Sequence, residues 1–472
     1  MNHSLATRFW VLSLAAILTG ATADAADVDS PDQIAAGLAQ KALKDPVAMD
    51  FVTDLTTEIG PRLDGSPAEK RAADWAQRRL EQLGFDKVWM ETFALKHGWE
   101  RGIETAEIIS PAPQRLIVTA LGESVPTPPA GIEAEIALFK TYDELLAAPA
   151  GSLKGRIAVV TQHMARTQDA SGYGYLVRMR ADGPAEAAKR GAIGYLLRSL
   201  ATDIRRVPHT GVTDYTYDAP RIPAAALTVP DAEQLERLAA KGAPVRVKML
   251  LTPRDLGEVT SQNVIAEITG REKPDEIVLL GAHLDSWDLG TGAMDDGAGD
   301  AIIVGAGKLI HDLPQHPKRT IRLVLYGSEE TGLHGGKAYA KAHAAELGHY
   351  VIVAEPDLGQ GPIYRFQTGV TNADETSLKR IGAVLAPLGI VPGDNQSHGS
   401  SDVEPLFEAG VPAVTLDMDG TDYFDYHHTP EDTLDKIKPE RLNQCVAAYA
   451  AFAYLAAELD GDYRAPASKP AK

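Results

Sequence analysis

Ile277-Val278-Leu279-Leu280-Gly281-Ala282-His283-Leu284-Asp285-Ser286-Trp287 passes from an apolar stretch straight into a histidine and an aspartate. A short apolar run of this kind reads as a strand buried on both faces, and such strands belong to parallel sheets. The same texture recurs on either side of it. Residues 264–268 are strand-like, 296–313 form a small-residue helix, and 321–326 and 350–354 are further buried strands. Residues 374–388 and 440–459 have the spacing of amphipathic helices. Strands alternating with helices predict an α/β fold, with a mainly parallel mixed sheet covered by helices on both faces.

The 472 residues allow two to four domains, and 44% hydrophobic content excludes disorder as the main state. With 46 Lys and Arg against 65 Asp and Glu, the net charge is −19. That balance argues against a nucleic-acid partner and against docking on an anionic membrane. A single cysteine, Cys445, excludes an intrachain disulfide framework and a Cys-rich zinc site.

Residues 1–8 carry one arginine and no acid, residues 9–18 form an apolar run, and small residues follow at 21–25. The run is short of the roughly 20 residues that span a bilayer, so residues 1–25 read as a secretory signal peptide. The mature chain is therefore expected to be secreted or periplasmic, with no membrane anchor. Ser66-Pro67-Ala68-Glu69 reads as a capping box opening a helix that Gly84 stops. The composition shifts at Val125-Pro126-Thr127-Pro128-Pro129-Ala130-Gly131, which places a boundary there. Short strands with an occasional helix then fill the block to about residue 255. It reads as an inserted module between an N-terminal part (26–124) and the main α/β domain (256–462), with 463–472 as a tail.

Acids and histidines gather in five short segments: 281–287, Met294-Asp295-Asp296-Gly297, Gly327-Ser328-Glu329-Glu330-Thr331-Gly332, Glu355-Pro356-Asp357 and His427-His428-Thr429-Pro430-Glu431-Asp432. Open α/β sheets bind ligands beyond the carboxyl ends of their strands, and three of these segments directly follow strand runs. Histidine and carboxylate without cysteine suits catalytic zinc, and a pair of metals needs a bridging carboxylate. Taken singly, Glu329-Glu330 reads as acids at a helix start, Asp295-Asp296 as a turn and cap, and His427-His428 as solvated loop residues. Their joint appearance at strand ends favours one shared site.

In this order the segments resemble the co-catalytic di-zinc aminopeptidase and glutamate carboxypeptidase family, and within it the carboxypeptidase Q-like branch. Gly60-Pro61-Arg62-Leu63-Asp64-Gly65-Ser66, Trp99-Glu100-Arg101-Gly102, Pro208-His209-Thr210-Gly211, Pro317-Lys318-Arg319-Thr320, Ser397-His398-Gly399 and Ala409-Gly410-Val411-Pro412 extend the resemblance over the mature chain. The resemblance implies a three-layer αβα zinc-exopeptidase domain with a β-rich protease-associated insertion over about 125–255, and it implies homodimers. It implies two zinc ions per chain, held by His283, Asp295, Glu330, Asp357 and His428, with Asp295 as the bridge. Asp285 resembles the acid that orients His283, and Glu329 resembles the general base that activates a metal-held water. The 295–296 peptide is cis in many relatives, which makes Asp296 a shaper of the loop. His427 stands where the family often has a tyrosine that stabilises the oxyanion; a substrate-binding and a purely structural histidine are equally open here. The implied activity is hydrolysis of dipeptides or short peptides. An aminopeptidase acting on longer peptides, with Glu355 or Asp402 receiving the substrate ammonium, is the first alternative. A non-catalytic binding protein on the same fold and a di-metal phosphatase are the others.

Overall fold

The computed structural model describes Met1 and residues 29–214, 220–372 and 376–464. The expected signal peptide lies outside the described residues apart from Met1, and so does the tail from 465 onward.

The main sheet has eight strands. In spatial order they are Lys87–Glu100, Arg254–Ile268, Arg319–Tyr326, Lys273–His283, Tyr350–Ala354, Ala413–Met418, Ile363–Gly369 and Val391–Pro392. The four from Arg319–Tyr326 to Ala413–Met418 run parallel, and antiparallel strands flank them. Period-2 alternation divides each central strand between two cores. Val278, Leu280, Ile321, Leu323 and Leu325 face one hydrophobic cluster, and Ile277, Leu279, Val324 and Tyr326 face another. The first face is covered by Pro31–Ala42, Val47–Asp54, Ala298–His311 and Pro439–Glu458, and the second by His334–Ala342 and Glu404–Glu408. The expected three layers are present. Small residues let Ala298–His311 approach the sheet closely: a Cβ on Gly307 would lie 2.7 Å from Leu323 Cδ1. Pro439–Glu458 departs from the amphipathic expectation. It is buried on nearly every side, because Pro31–Ala42 covers the face a surface helix would leave wet.

Lys273–His283 is the pivot of this sheet. The chain leaves it for Arg319–Tyr326 on one side and later returns to Tyr350–Ala354 on the other. Such a reversal opens a crevice at the strand ends. Register brings His283 beside Tyr326 and Leu280 beside Ala354, so the loops carrying Glu329-Glu330 and Asp357 emerge next to His283.

A second eight-stranded sheet forms an inserted lobe. The strands Lys87–Glu100 and Arg254–Ile268 pair antiparallel as a two-stranded stalk, ending on the pair Glu100 and Arg254, and the lobe is everything between. This differs from the expected module in two ways. Its strands Glu104–Ser110, Gln114–Leu116 and Val118–Ala120 lie upstream of residue 125. The proline-rich stretch is a connection inside the lobe, pinned where Thr127 N donates to Leu251 O at 2.9 Å. Prolines marked a crossing between strands, and no boundary falls there. Moreover the lobe is itself α/β: Ile132–Phe139, Ile157–Val160, Gly194–Arg198 and Ala224–Leu227 are parallel, with helices between the first three and another after the fourth.

Candidate metal centre

Arg62 organises the loops above the pivot strand. It is fully buried, and its guanidinium donates to the carbonyls of Leu284, Thr291 (2.7 Å) and Gly292 (2.9 Å). Gly292 has φ +60°, and a Cβ there would lie 2.4 Å from Ser286 Cβ and 2.6 Å from the Arg62 guanidinium. Only glycine fits that position. The next turn carries Asp295 and Asp296, joined by a cis peptide bond. Asp296 turns away from the cavity: its carboxylate accepts from His283 N (3.3 Å) and Gly299 N (3.1 Å) at the start of the helix Ala298–His311.

Asp295 turns the other way, and its two oxygens face two separate groups. Oδ1 lies 3.1 Å from His283 Nε2, which is itself 3.6 Å from Asp357 Oδ1. Oδ2 lies 3.1 Å from His428 Nε2, which is 2.9 Å from Glu330 Oε2. The five residues expected as metal ligands thus converge. Glu329 Oε2 stands 4.0 Å from His283 Nε2, beside the first group. His427 Nε2 stands 3.4 Å from Asp295 Oδ2.

Asp285 sits behind them, differently from expectation in one atom. His283 Nδ1 faces the Asp285 backbone carbonyl at 3.2 Å, with the carboxylate at 3.6 Å. The carboxylate accepts the amides of Glu329 (2.9 Å) and Glu330 (3.2 Å), so it positions these two residues as well as the imidazole. Glu355 and Asp402, the residues considered for a substrate ammonium, do not line the cavity. Both are buried, and Glu355 accepts the amides of Asp402 (2.8 Å) and Val403 (3.1 Å), while Asp402 accepts that of Gly336 (2.9 Å).

The electrostatics are those of a site short of positive charge. Burial pushes the Glu329 carboxyl well above the usual carboxylate range, and Asp357, Glu330 and Asp285 add to it against His283. Burial alone would lower His428, but Glu330 and Asp295 outweigh it and raise it to about 9. His283 is likewise held well above the ordinary imidazole range, against burial, by Asp285, Asp295 and Asp357.

Residues 263–453 match the profile described as Peptidase family M28. Carboxypeptidase Q of Mus musculus is 36% identical over 406 residues, covering 86% of this chain and 84% of that protein. The chain belongs to peptidase family M28. A Peptidase M28 precursor from Shewanella amazonensis, known from a crystal structure, superposes with a TM-score of 0.91 at 48% identity, covering 93% of this chain and 99% of that one. A zinc aminopeptidase from Bacillus subtilis shares the fold at TM-score 0.65 and 22% identity, over 89% of this chain and 98% of that one.

M28 enzymes are zinc-dependent metallopeptidases, and the donors of this M28 chain fit the metal. Asp295 Oδ2 is buried and no aligned hydrogen bond reaches it, although two imidazole nitrogens stand 3.1 and 3.4 Å away. A buried carboxylate oxygen amid imidazole nitrogens and further carboxylates is a cation site in chemistry. A cavity of about 410 Å³ opens on it, lined by Asp295, Glu329, Glu330, Asp357, His427 and His428 and, from the lobe, by Tyr173 and Arg180. Sequence reasoning missed several residues that build this M28 site. Asp432 accepts the amides of Ala293 (2.9 Å), Met294 (2.6 Å) and Asp295 (3.2 Å), fixing the turn that carries the bridge. Thr210 O lies 3.3 Å from His428 Nδ1, and Arg180 donates to Tyr173 Oη at 2.6 Å in the cavity wall. The quoted motifs 208–211 and 427–432 contained Thr210 and Asp432, but no pattern shows which atoms they face.

Proposed function

We propose that the chain is an exported exopeptidase that uses two zinc ions to hydrolyse dipeptides and short peptides. The reading is carried by Asp295, whose two oxygens face two separate histidine–carboxylate pairs with a third carboxylate, Glu329, alongside. His283 and Asp357 would hold one ion, Glu330 and His428 the other, and Asp295 both. Bound zinc would supply Lewis acidity, polarising the scissile carbonyl and acidifying water. Glu329 takes the proton of the attacking water and passes it to the departing amine. Its amide is anchored on Asp285, which keeps the carboxylate facing the cavity. Arg180 stands in the cavity wall as a cation for a substrate carboxylate close to the scissile bond, which favours short substrates with a free C-terminus. Export rests on the residue 1–25 pattern, and no described helix is long and apolar enough to cross a membrane. We read the lobe between residues 100 and 254 as the protease-associated insertion.

The test is metal content together with hydrolysis of free, N-blocked and C-amidated dipeptides and longer peptides, with Glu329→Gln as control. About two zinc ions per chain, cleavage of dipeptides, and an inert control that keeps its metal support the reading. Preference for C-amidated longer peptides would replace it with the aminopeptidase reading. Protein that stays inert after zinc is restored would refute both.

A further inference from the structure

His209 belongs to the lobe, yet it ends inside the catalytic domain. Its amide donates to Ser199 Oγ at 2.9 Å, and that hydroxyl donates to Leu227 O at 2.6 Å, so the residue is tied to the lobe's parallel strands. The next residue is held as firmly: Thr210 N donates to His428 O at 3.0 Å, and Thr210 Oγ1 donates to Ala120 O at 2.9 Å. The ring of His209 is buried, and its Nε2 lies 2.8 Å from Nδ1 of His427. His427 lines the cavity, while its own Nε2 lies 3.4 Å from Asp295 Oδ2.

These contacts decide where the hydrogens are. A bare Nε2 on His427 would set its lone pair against the Asp295 carboxylate, so that nitrogen carries the hydrogen. A neutral His427 then has a bare Nδ1, which accepts, and His209 Nε2 must donate. That leaves His209 Nδ1 bare, buried with no hydrogen-bond partner. The reverse arrangement would leave the same nitrogen unpartnered and would also set a bare His427 Nε2 against Asp295 Oδ2, so the carboxylate decides between the two.

We propose that His209 is a positioning residue for peptide hydrolysis: by donating to His427 Nδ1 it locks His427 with its Nε2–H directed into the cavity, where that hydrogen stabilises the oxyanion developing on the scissile carbonyl. The inference rests on the peptidase reading for its catalytic half and on geometry alone for its tautomer half. It also makes the lobe a contributor to the chemistry, since the residue that sets the donor comes from it.

Two measurements test it. In protein with ¹⁵N-labelled imidazoles, with and without zinc, His427 should show a protonated Nε2 and an accepting Nδ1, assigned by its loss in His427→Phe. In His209→Leu that pattern should give way to mixed tautomers. In kinetics, His209→Leu should lower kcat about 10- to 100-fold, in the range of weakening one oxyanion donor, with KM nearly constant and metal content intact. His209→Gln, whose amide N–H reaches the same place, should recover most of the rate. In the His427→Phe background His209→Leu should cost nothing further. A wild-type His427 protonated on Nδ1, a full rate in His209→Leu, or equal losses for the Leu and Gln variants would overturn the inference. A wild type that cleaves no peptide would overturn the catalytic half together with the peptidase reading, and the tautomer measurement still decides the other half.

Discussion

Loading the metal-free protein with zinc should release protons, and that release sets how affinity depends on pH. Without metal, His428 is raised to about 9 and His283 lies well above the ordinary imidazole range, so both are protonated at pH 7. A nitrogen that takes a metal must first lose its proton. Each displaced proton makes affinity rise about tenfold per pH unit, so the two imidazoles together give about a hundredfold per unit. The dependence should flatten as pH passes about 9, where His428 is already bare. The stability of the metal-free fold moves oppositely. The folded value for His428 lies above its ordinary 6.5, so its contribution is complete below pH 6.5 and is lost as pH rises through about 9. The gap in Tm between loaded and stripped protein should therefore widen over that window. Calorimetric titration at pH 7 in two buffers of different ionisation enthalpy counts the protons, and the expected number is about two or more per loaded chain. Release of less than one proton, or a gap in Tm that narrows with rising pH, would refute the charge states derived for the two histidines.

Glu329→Gln should keep its zinc and lose about 10²- to 10⁴-fold in kcat, the span typical of a removed general base; a loss matched by metal loss in elemental analysis would contradict the role. Asp285→Asn puts an amide N–H against the amides of Glu329 or Glu330. It should weaken zinc binding about 10- to 100-fold in a chelator competition, and unchanged affinity would show that the Asp285 carboxylate is dispensable. Gly292→Ala sets a Cβ 2.4 Å from Ser286 Cβ at φ +60°. It should destabilise by more than the roughly 1–2 kcal/mol of the left-handed conformation alone, read from the denaturant midpoint, and a wild-type midpoint would mean that the Arg62 clamp yields.

What was legible in the chain was whatever lies within one contiguous stretch. Lys273–His283 announces its strand and the ligand at its end together, and Glu329-Glu330 follow Arg319–Tyr326 in the same way. The helix Pro67–Leu83 starts on Ser66 as its spacing predicts, with the hydroxyl accepting from Ala68 and Glu69 amides. Even there the structure adds a non-local fact. The Glu69 carboxylate reaches past the expected cap to Gly65 N (2.6 Å) and Ser328 Oγ (3.1 Å), tying the helix start to the loop of the base. The lobe boundary was misread because proline marks any break in a strand ladder, whether at a domain edge or at a connection within one sheet. The partners of the centre were invisible for a plainer reason. Asp432 grips amides 137 to 139 residues away, and His209 meets His427 across 218 residues.

The residues behind the expected metal donors share a property that explains how the centre is assembled. Arg62, Asp285 and Asp432 spend their charge on backbone groups of the ligand loops, so the protein positions the donors by gripping their peptides. The cost appears as carboxyls held out of their ordinary range: burial raises Asp432 to about 7 and Asp64, beneath the Glu330 loop, to about 8, each with nearby acids adding to the shift. Arg62 offsets part of that for Asp432, and His428 and His283 offset part for Glu330, whereas at Asp295 the imidazoles of His427, His283 and His428 outweigh burial and hold the carboxyl well below its usual range. The remainder is a deficit of positive charge at the wall of the cavity, on loops held by hydrogen bonds. Divalent cations are what such a pocket selects, because they neutralise several carboxylates at once without needing the loops to move. The same contacts would preorganise Glu329 for the role proposed for it, since its amide is pinned on Asp285 before any peptide enters the cavity.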